Sequence, residues 1–132
     1  AAVGDRFIGT FSGVEWTDSE GRRRVSNKWT ASTAGTDIVA YATLDPAIVY
    51  VIQSNATMTA ADIGAQYDFT AASGNTTTGL SSQMLDVASL ANNAALRVIG
   101  LEPGTNSAWG DTYVIVQVQI SEHQNVADVA DY

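Results

Sequence analysis

Residues 96–120 read LRVIGLEPGTNSAWGDTYVIVQVQI, and this stretch decides the fold class. Leu96–Leu101 and Tyr113–Ile120 are dense in Val, Ile and Leu, the composition of strands. Between them EPGTNSAWGD gathers Pro, Gly, Asn, Ser and Asp, residues that break strands and make turns for identifiable steric reasons. The second segment alternates: Val114, Val116, Val118 and Ile120 share one face, and Tyr113, Ile115, Gln117 and Gln119 the other. A period of two with one aliphatic side predicts a strand with one face in a core.

Working outward, the same punctuation recurs along the chain. Arg6–Trp16 reads as a strand with Gly9 and Gly13 at strand spacing, a sign of a bulge, a bend or a close backbone approach. TDSEGRRR is a hairpin loop with Gly21 free to take positive φ, and Arg24–Thr30 is the returning strand. Asp37–Thr43 and Ile48–Gln53 are further strands joined by an Asp45-Pro46 turn. IVYVIQ is nearly continuous in apolar residues, which predicts a strand with both faces covered. One short helical turn is expected after Thr59 as N-cap, ended by Gly64. Tyr67–Thr70 returns to strand, and AASGNTTTGLSS is a long polar loop. Gln83–Ala91 fits strand or helix spacing, with strand favoured by the Asn-Asn loop that follows.

The sum is all-β: an antiparallel sandwich or small barrel of about seven or eight short strands, one domain over residues 1–132. Residues 1–5 and 121–132 are expected to be an extended start and tail. Core candidates are Phe7, Ile38, Val39, Val49, Val51, Val98, Val114, Val116 and Val118.

Charge and composition exclude several classes of function. The chain carries 14 acids against 6 bases, and from Trp29 onward only Arg97 opposes ten acids, a balance that repels nucleic acid. With no cysteine, disulfides and thiolate metal sites are absent. Nothing approaches the roughly 18 consecutive apolar residues of a membrane span. No membrane or nucleic-acid partner, metal or cofactor is expected, and no residue is assigned a catalytic role. His123 is the lone histidine and reads as a surface or interface residue in a polar tail. Asp45, Asp62, Asp68, Asp86 and Asp111 offer oxygen ligands, but no run has calcium-loop spacing. Asn55-Ala56-Thr57 and Asn75-Thr76-Thr77 match the glycosylation pattern, which arises easily in a Thr-rich chain.

Two features suggest contact with a partner. Arg22, Arg23, Arg24 and Lys28 form the one basic cluster, either a solvated turn or a docking patch for an acidic surface. The loop bearing Asn106, Trp109 and Asp111 offers an aromatic anchor rimmed by polar groups, unless Trp109 folds back to fill the barrel end. Trp16, Trp29 and Trp109 could alternatively stack on sugar rings, the mark of a carbohydrate-binding module.

An ordered set of segments carries a resemblance. Asp5 to Glu15 (DRFIGTFSGVE), VSNKW at 25–29, IVAYATLDP at 38–46, GNTTTGLS at 74–81, LRVIGLEP at 96–103, NSAWGDTY at 106–113 and ISEHQ at 120–124 together resemble a family of tailed-bacteriophage head decoration, or cement, proteins. Members are encoded beside the major capsid protein. The resemblance implies a non-enzymatic virion protein, assembled in the host bacterial cytoplasm, that sits outside an icosahedral shell and bridges capsid subunits. It also implies the major capsid protein as partner and a homo-oligomer, dimer or trimer. Members usually carry a further N-terminal segment ahead of the GDRF-like start.

Overall fold

The computed structural model describes residues 6–126. Eight strands follow one another: β1 Thr10–Thr17, β2 Arg23–Ser26, β3 Thr36–Thr43, β4 Tyr50–Gln53, β5 Gln66–Phe69, β6 Leu85–Asp86, β7 Leu96–Leu101 and β8 Ile115–Ile120. The helical content is two single 3₁₀ turns, Ala60–Asp62 and Val87–Ser89. All pairings within the sheets are antiparallel: a three-stranded sheet in the order β2-β1-β3 and a five-stranded sheet in the order β4-β8-β7-β5-β6. The all-β reading holds: the strands divide between two antiparallel sheets.

The five-stranded sheet curls into a half-barrel. Its two edges meet at one point, where Ser54, just beyond β4, bridges Leu85 of β6 in parallel. Residues 54–55 hold that junction. The buried Ser54 hydroxyl donates to the Ala56 carbonyl at 2.7 Å and accepts the Val114 amide at 3.0 Å. Asn55 donates its backbone amide to Leu85, receives the Val87 amide on Oδ1 and gives Nδ2 to Asp86. Both ends of the Asn55 amide are thus consumed by the fold, so its glycosylation pattern is a structural clamp.

Inside the curl lie Met58, Tyr67, Leu85, Ala95, Leu96, Val98, Val114, Val116 and Val118. The alternation of β8 places Val116 and Val118 inward as its sequence requires, opposite Leu101 and Val98 of β7 on one side and Ile52 and Tyr50 of β4 on the other. Burying each such valine is worth roughly 1.5–3 kcal/mol.

Strand β4 corrects one expectation. It is an edge strand, not a covered one: Tyr50 and Ile52 turn inward, while Val51 is 55% exposed and Val49 is also exposed. A short apolar run does not reveal sheet position, because an edge strand with aliphatics on both faces has the same composition. The expected core residues Ile38 and Val39 are likewise exposed, for they lie on β3 of the separate sheet.

Boundaries shift elsewhere. The strand expected over residues 24–30 stops at Ser26, whose hydroxyl accepts the Lys28 amide and turns the chain. Gln83–Ala91 yields only the two residues of β6; the Asp86 carboxylate then accepts the Ala88 amide and starts the second 3₁₀ turn. The first 3₁₀ turn is capped from its far end, by Asp62 accepting both the amide and the hydroxyl of Thr59. Gly9 is a close approach, as its spacing suggested: φ is +145°, and a Cβ there would lie 1.7 Å from the Thr43 carbonyl oxygen. Gly21 takes φ +77° in the β1–β2 turn.

Candidate functional site

The basic hairpin is built around Asp18. In the β1–β2 turn its Oδ1 accepts the amides of Glu20 and Arg22 at 3.0 and 2.9 Å, and its Oδ2 accepts the Nε atoms of Arg22 and Arg24 at 3.2 and 2.9 Å. The Arg22 amide, then the Arg24 guanidinium, hold the Asp18 carboxyl well below the usual carboxylate range. Arg22 also pairs with Glu20. Arg23 lies on the sheet face, 2.8 Å from Glu15 Oε1, and donates to the Asp37 carbonyl at 2.9 Å and to Thr17 Oγ1 at 3.2 Å. The Tyr41 hydroxyl donates to the same Glu15 oxygen at 2.9 Å. Arg23 first, then Tyr41, lower the Glu15 pKa, and Glu15 raises that of Tyr41.

Three arginines are therefore matched by Asp18, Glu20 and Glu15. The composition suggested an unopposed positive patch; the hairpin presents paired charge instead, and the pairing was hidden because it crosses strands. Lys28 is different. It makes no ion pair among the described residues, and its aliphatic stem lies under Gly79 of the polar loop.

The second candidate loop is anchored to the half-barrel. Trp109 is half-buried and packs against the core, the fold-back alternative for this residue. Gly110, at φ +96°, donates to the Met58 carbonyl at 2.9 Å, and Asp111 Oδ2 accepts the Ala108 amide at 2.8 Å. Ser107 Oγ accepts the Ile115 amide at 3.1 Å and ties the loop to β8. Asn106 stays exposed. No hydrogen bond or ion pair among the described residues joins this loop to the basic hairpin.

Sequence reasoning missed three features. The first is an open groove of about 540 Å³ between the three-stranded sheet and the polar loop, lined among others by Phe11, Asn27, Lys28, Trp29, Asn75 and Gln83. Trp29 meets Trp16 edge to face there, with ring centroids 5.5 Å apart. The second is the apolar surface of the three-stranded sheet. Val25 is 77% exposed, Tyr41 51% and Ile38 50%, and only Val14 in the sheet is fully buried. Of these, Ile38 read as core because a pattern cannot say whether a second layer exists. The third is His123, only 2% exposed and not at the surface as expected. Glu122 accepts the Phe7 amide and Gln124 donates to the Phe7 carbonyl, so this part of the tail pairs back along the start of the chain. The expected extended segments 1–5 and 127–132 lie outside the described residues.

Among the described residues no three His, Asp or Glu side chains stand close enough together to hold a metal, and no helix is long and apolar enough to cross a membrane. Comparison of the chain with family models, with curated proteins and with solved structures finds no match.

Proposed function

We propose that this protein is a structural virion component that binds the outer surface of an icosahedral phage capsid and stabilises it by bridging capsid subunits. The observation that carries the reading is the three-stranded sheet, whose large apolar side chains have no second layer to cover them. Exposed apolar surface of this kind marks a place where another protein sits. The ordered resemblance to decoration proteins supplies the identity of that partner, the major capsid protein. Arg22, Arg23, Arg24, Lys28, Asn106, Trp109 and Asp111 remain the proposed contact residues. With the arginines internally paired, the hairpin contributes shape and exchangeable hydrogen bonds more than net attraction, and Lys28 is the cation of the cluster that makes no ion pair among the described residues.

The test uses particles assembled with and without the protein. Particles lacking it should form and then break sooner on heating or on exposure to chelator, and adding the protein back should restore resistance. Equal robustness of both particles overturns the reading.

A second reading, a carbohydrate-binding module, is favoured by one observation, the groove in which Trp29 and Phe11 stand beside Asn27, Asn75 and Gln83. Aromatic faces beside planar amides are what a sugar ring needs. A glycan panel on which Trp29→Ala abolishes binding, with capsid loading unchanged, selects this reading over the first.

A further inference from the structure

Arg97 lies on β7, the middle strand of the five-stranded sheet, with β5 on one side and β8 on the other. Leu96 and Val98 belong to the core, so strand alternation turns Arg97 to the outer face of the half-barrel. Its cross-strand neighbours there are Gln66 of β5 and Gln119 of β8. The guanidinium makes no hydrogen bond or ion pair among the described residues. Arg22, Arg23 and Arg24, by contrast, each pair with a carboxylate. In a chain with 14 acids against 6 bases, an arginine on the body of the fold is left without one.

Arg97 borders an open pocket of about 480 Å³ between the turn at residues 64–66 and the loop at residues 90–92. That volume falls in the range of about 300–1,000 Å³ typical of small-molecule sites. No Asp or Glu lines it. Asp68, the next acid on the same face of β5, is buried, accepts the Ala95 amide at 3.0 Å and forms no ion pair with Arg97. The Arg97 Nε is shut off from solvent without a partner, whereas its two terminal amino groups are not shut off. Gln66, directly across from it, fixes its own amide by accepting the Ala94 N–H on Oε1 at 3.2 Å. That leaves the Gln66 NH₂ group to donate, so two neighbouring side chains offer donors and no acceptor faces them. A partly buried guanidinium without an acceptor is destabilising, and an acceptor supplied from outside relieves it.

We infer that this pocket binds a small aliphatic monocarboxylate, its carboxylate end-on against Arg97 and the Gln66 amide, its hydrocarbon chain along Leu90. The two terminal N–H groups of a guanidinium match the two oxygens of a carboxylate, and the sealed Nε rules out a side-on approach. One cation serves the pocket, and the chain has a net charge of −8, so a single negative charge fits where a dianion is repelled. The rest of the wall selects for hydrocarbon: Ala65 and Ala91 line it beside Leu90, which is 63% exposed. An aliphatic chain laid there removes apolar surface from water on both partners.

The site uses none of the residues proposed for capsid contact and is tested without a capsid, so its failure and that of the capsid reading are separable. Nuclear magnetic resonance of the nitrogen-labelled chain, titrated with hexanoate, should shift the backbone amides of Ala65 and Ala91 and the Arg97 Nε–H. Saturation is expected at millimolar concentration. Hexanamide, which has the same shape without the charge, and inorganic phosphate should each bind about tenfold more weakly or worse. Acetate, which lacks the chain, should also bind about tenfold more weakly than hexanoate. Arg97→Gln should weaken hexanoate about tenfold or more. Leu90→Ser, at an exposed position, should leave acetate binding as it is and erase the advantage of hexanoate over acetate. The ligand comparisons use the unaltered chain, so they decide the matter even if Arg97→Gln does not fold. Absence of shifts at these residues, equal binding of hexanoate and hexanamide, phosphate binding as tightly as hexanoate, or parental affinity in a folded Arg97→Gln overturns the inference.

Discussion

Replacing Ser54 with Ala tests the account of the half-barrel most directly. The hydroxyl is fully buried and makes two bonds, donating to the Ala56 carbonyl and accepting the Val114 amide. The alanine fits without steric conflict, so the effect isolates the polar contacts. Losing a hydrogen bond costs about 1 kcal/mol net, and a buried amide left without an acceptor adds about 1–3 kcal/mol, for a total of about 2–4 kcal/mol. That is a large share of the roughly 5–15 kcal/mol that holds a domain of ordinary stability. Urea unfolding followed by circular dichroism reads it: with a slope of about 1–3 kcal/mol per molar, the midpoint should fall by at least about 0.7 M. Ser81→Ala, removing an exposed hydroxyl that accepts only the Gln83 amide, should change stability by less than about 0.5 kcal/mol. If Ser54→Ala unfolds within about 0.3 M of the parent at unchanged slope, Val114 has another acceptor and the junction is not held as described.

Other outcomes follow from the same geometry. Val116→Ala should cost about 1–3 kcal/mol, whereas Val51→Ala, outward on the edge strand, should cost less than about 0.5 kcal/mol; equal losses in urea unfolding would contradict the inward and outward faces of the half-barrel. Gly9→Ala drives a Cβ into the Thr43 carbonyl and should cost about 2–4 kcal/mol, while Gly21→Ala, with open space around it, should cost only about 1–2 kcal/mol of backbone strain. Burial, reinforced by its hydrogen bond to Asp62, pushes the Tyr67 hydroxyl up to about 12. A proton held more tightly in the folded state stabilises it fully below pH 10, and that contribution disappears as pH rises from 10 to about 12. Tyr67→Phe should flatten the pH dependence of the melting temperature in that window; an unchanged slope there would show that another group is responsible. Asp18 runs the other way: its lowered pKa stabilises the hairpin above the ordinary carboxylate range and is lost only in strong acid, so Asp18→Asn should free the Arg22 and Arg24 side-chain resonances at neutral pH.

What could be read from the residues was whatever depends on neighbours in sequence. Strand β7 ran over the expected Leu96–Leu101, and the inward set of β8 was correct because period-two alternation is a local property. The turn at Asp45 was legible for the same reason: its carboxylate accepts the amide of Ala47, two residues on. What could not be read was decided at long range. Whether Ile38 meets a second layer, and whether Tyr50–Gln53 is flanked on both sides, depend on strand order. That order places residues 50–53 beside 115–118. The candidate site divided along the same line. The basic cluster was visible as composition, but its neutralisation by Glu15, on the neighbouring strand, was not. The groove against the 72–83 loop had no local signal at all, since its walls come from segments more than forty residues apart.

The junction between Ser54 and Val114 also sets an order of events. The three-stranded sheet consists of segments close in sequence, and it can form as soon as residues 10–43 have been made. Strand β4 has no partner at that moment. Its neighbour β8 is synthesised some sixty residues later, a delay of about 3–12 s at bacterial or eukaryotic elongation speeds. Throughout that interval Tyr50 and Ile52 are without their shelter, and the half-barrel condenses only when the last strand arrives to take its place between β4 and β7. Chaperone occupancy on stalled chains should therefore stay high until β8 emerges and then drop, a kinetic signature of a core whose keystone is made last.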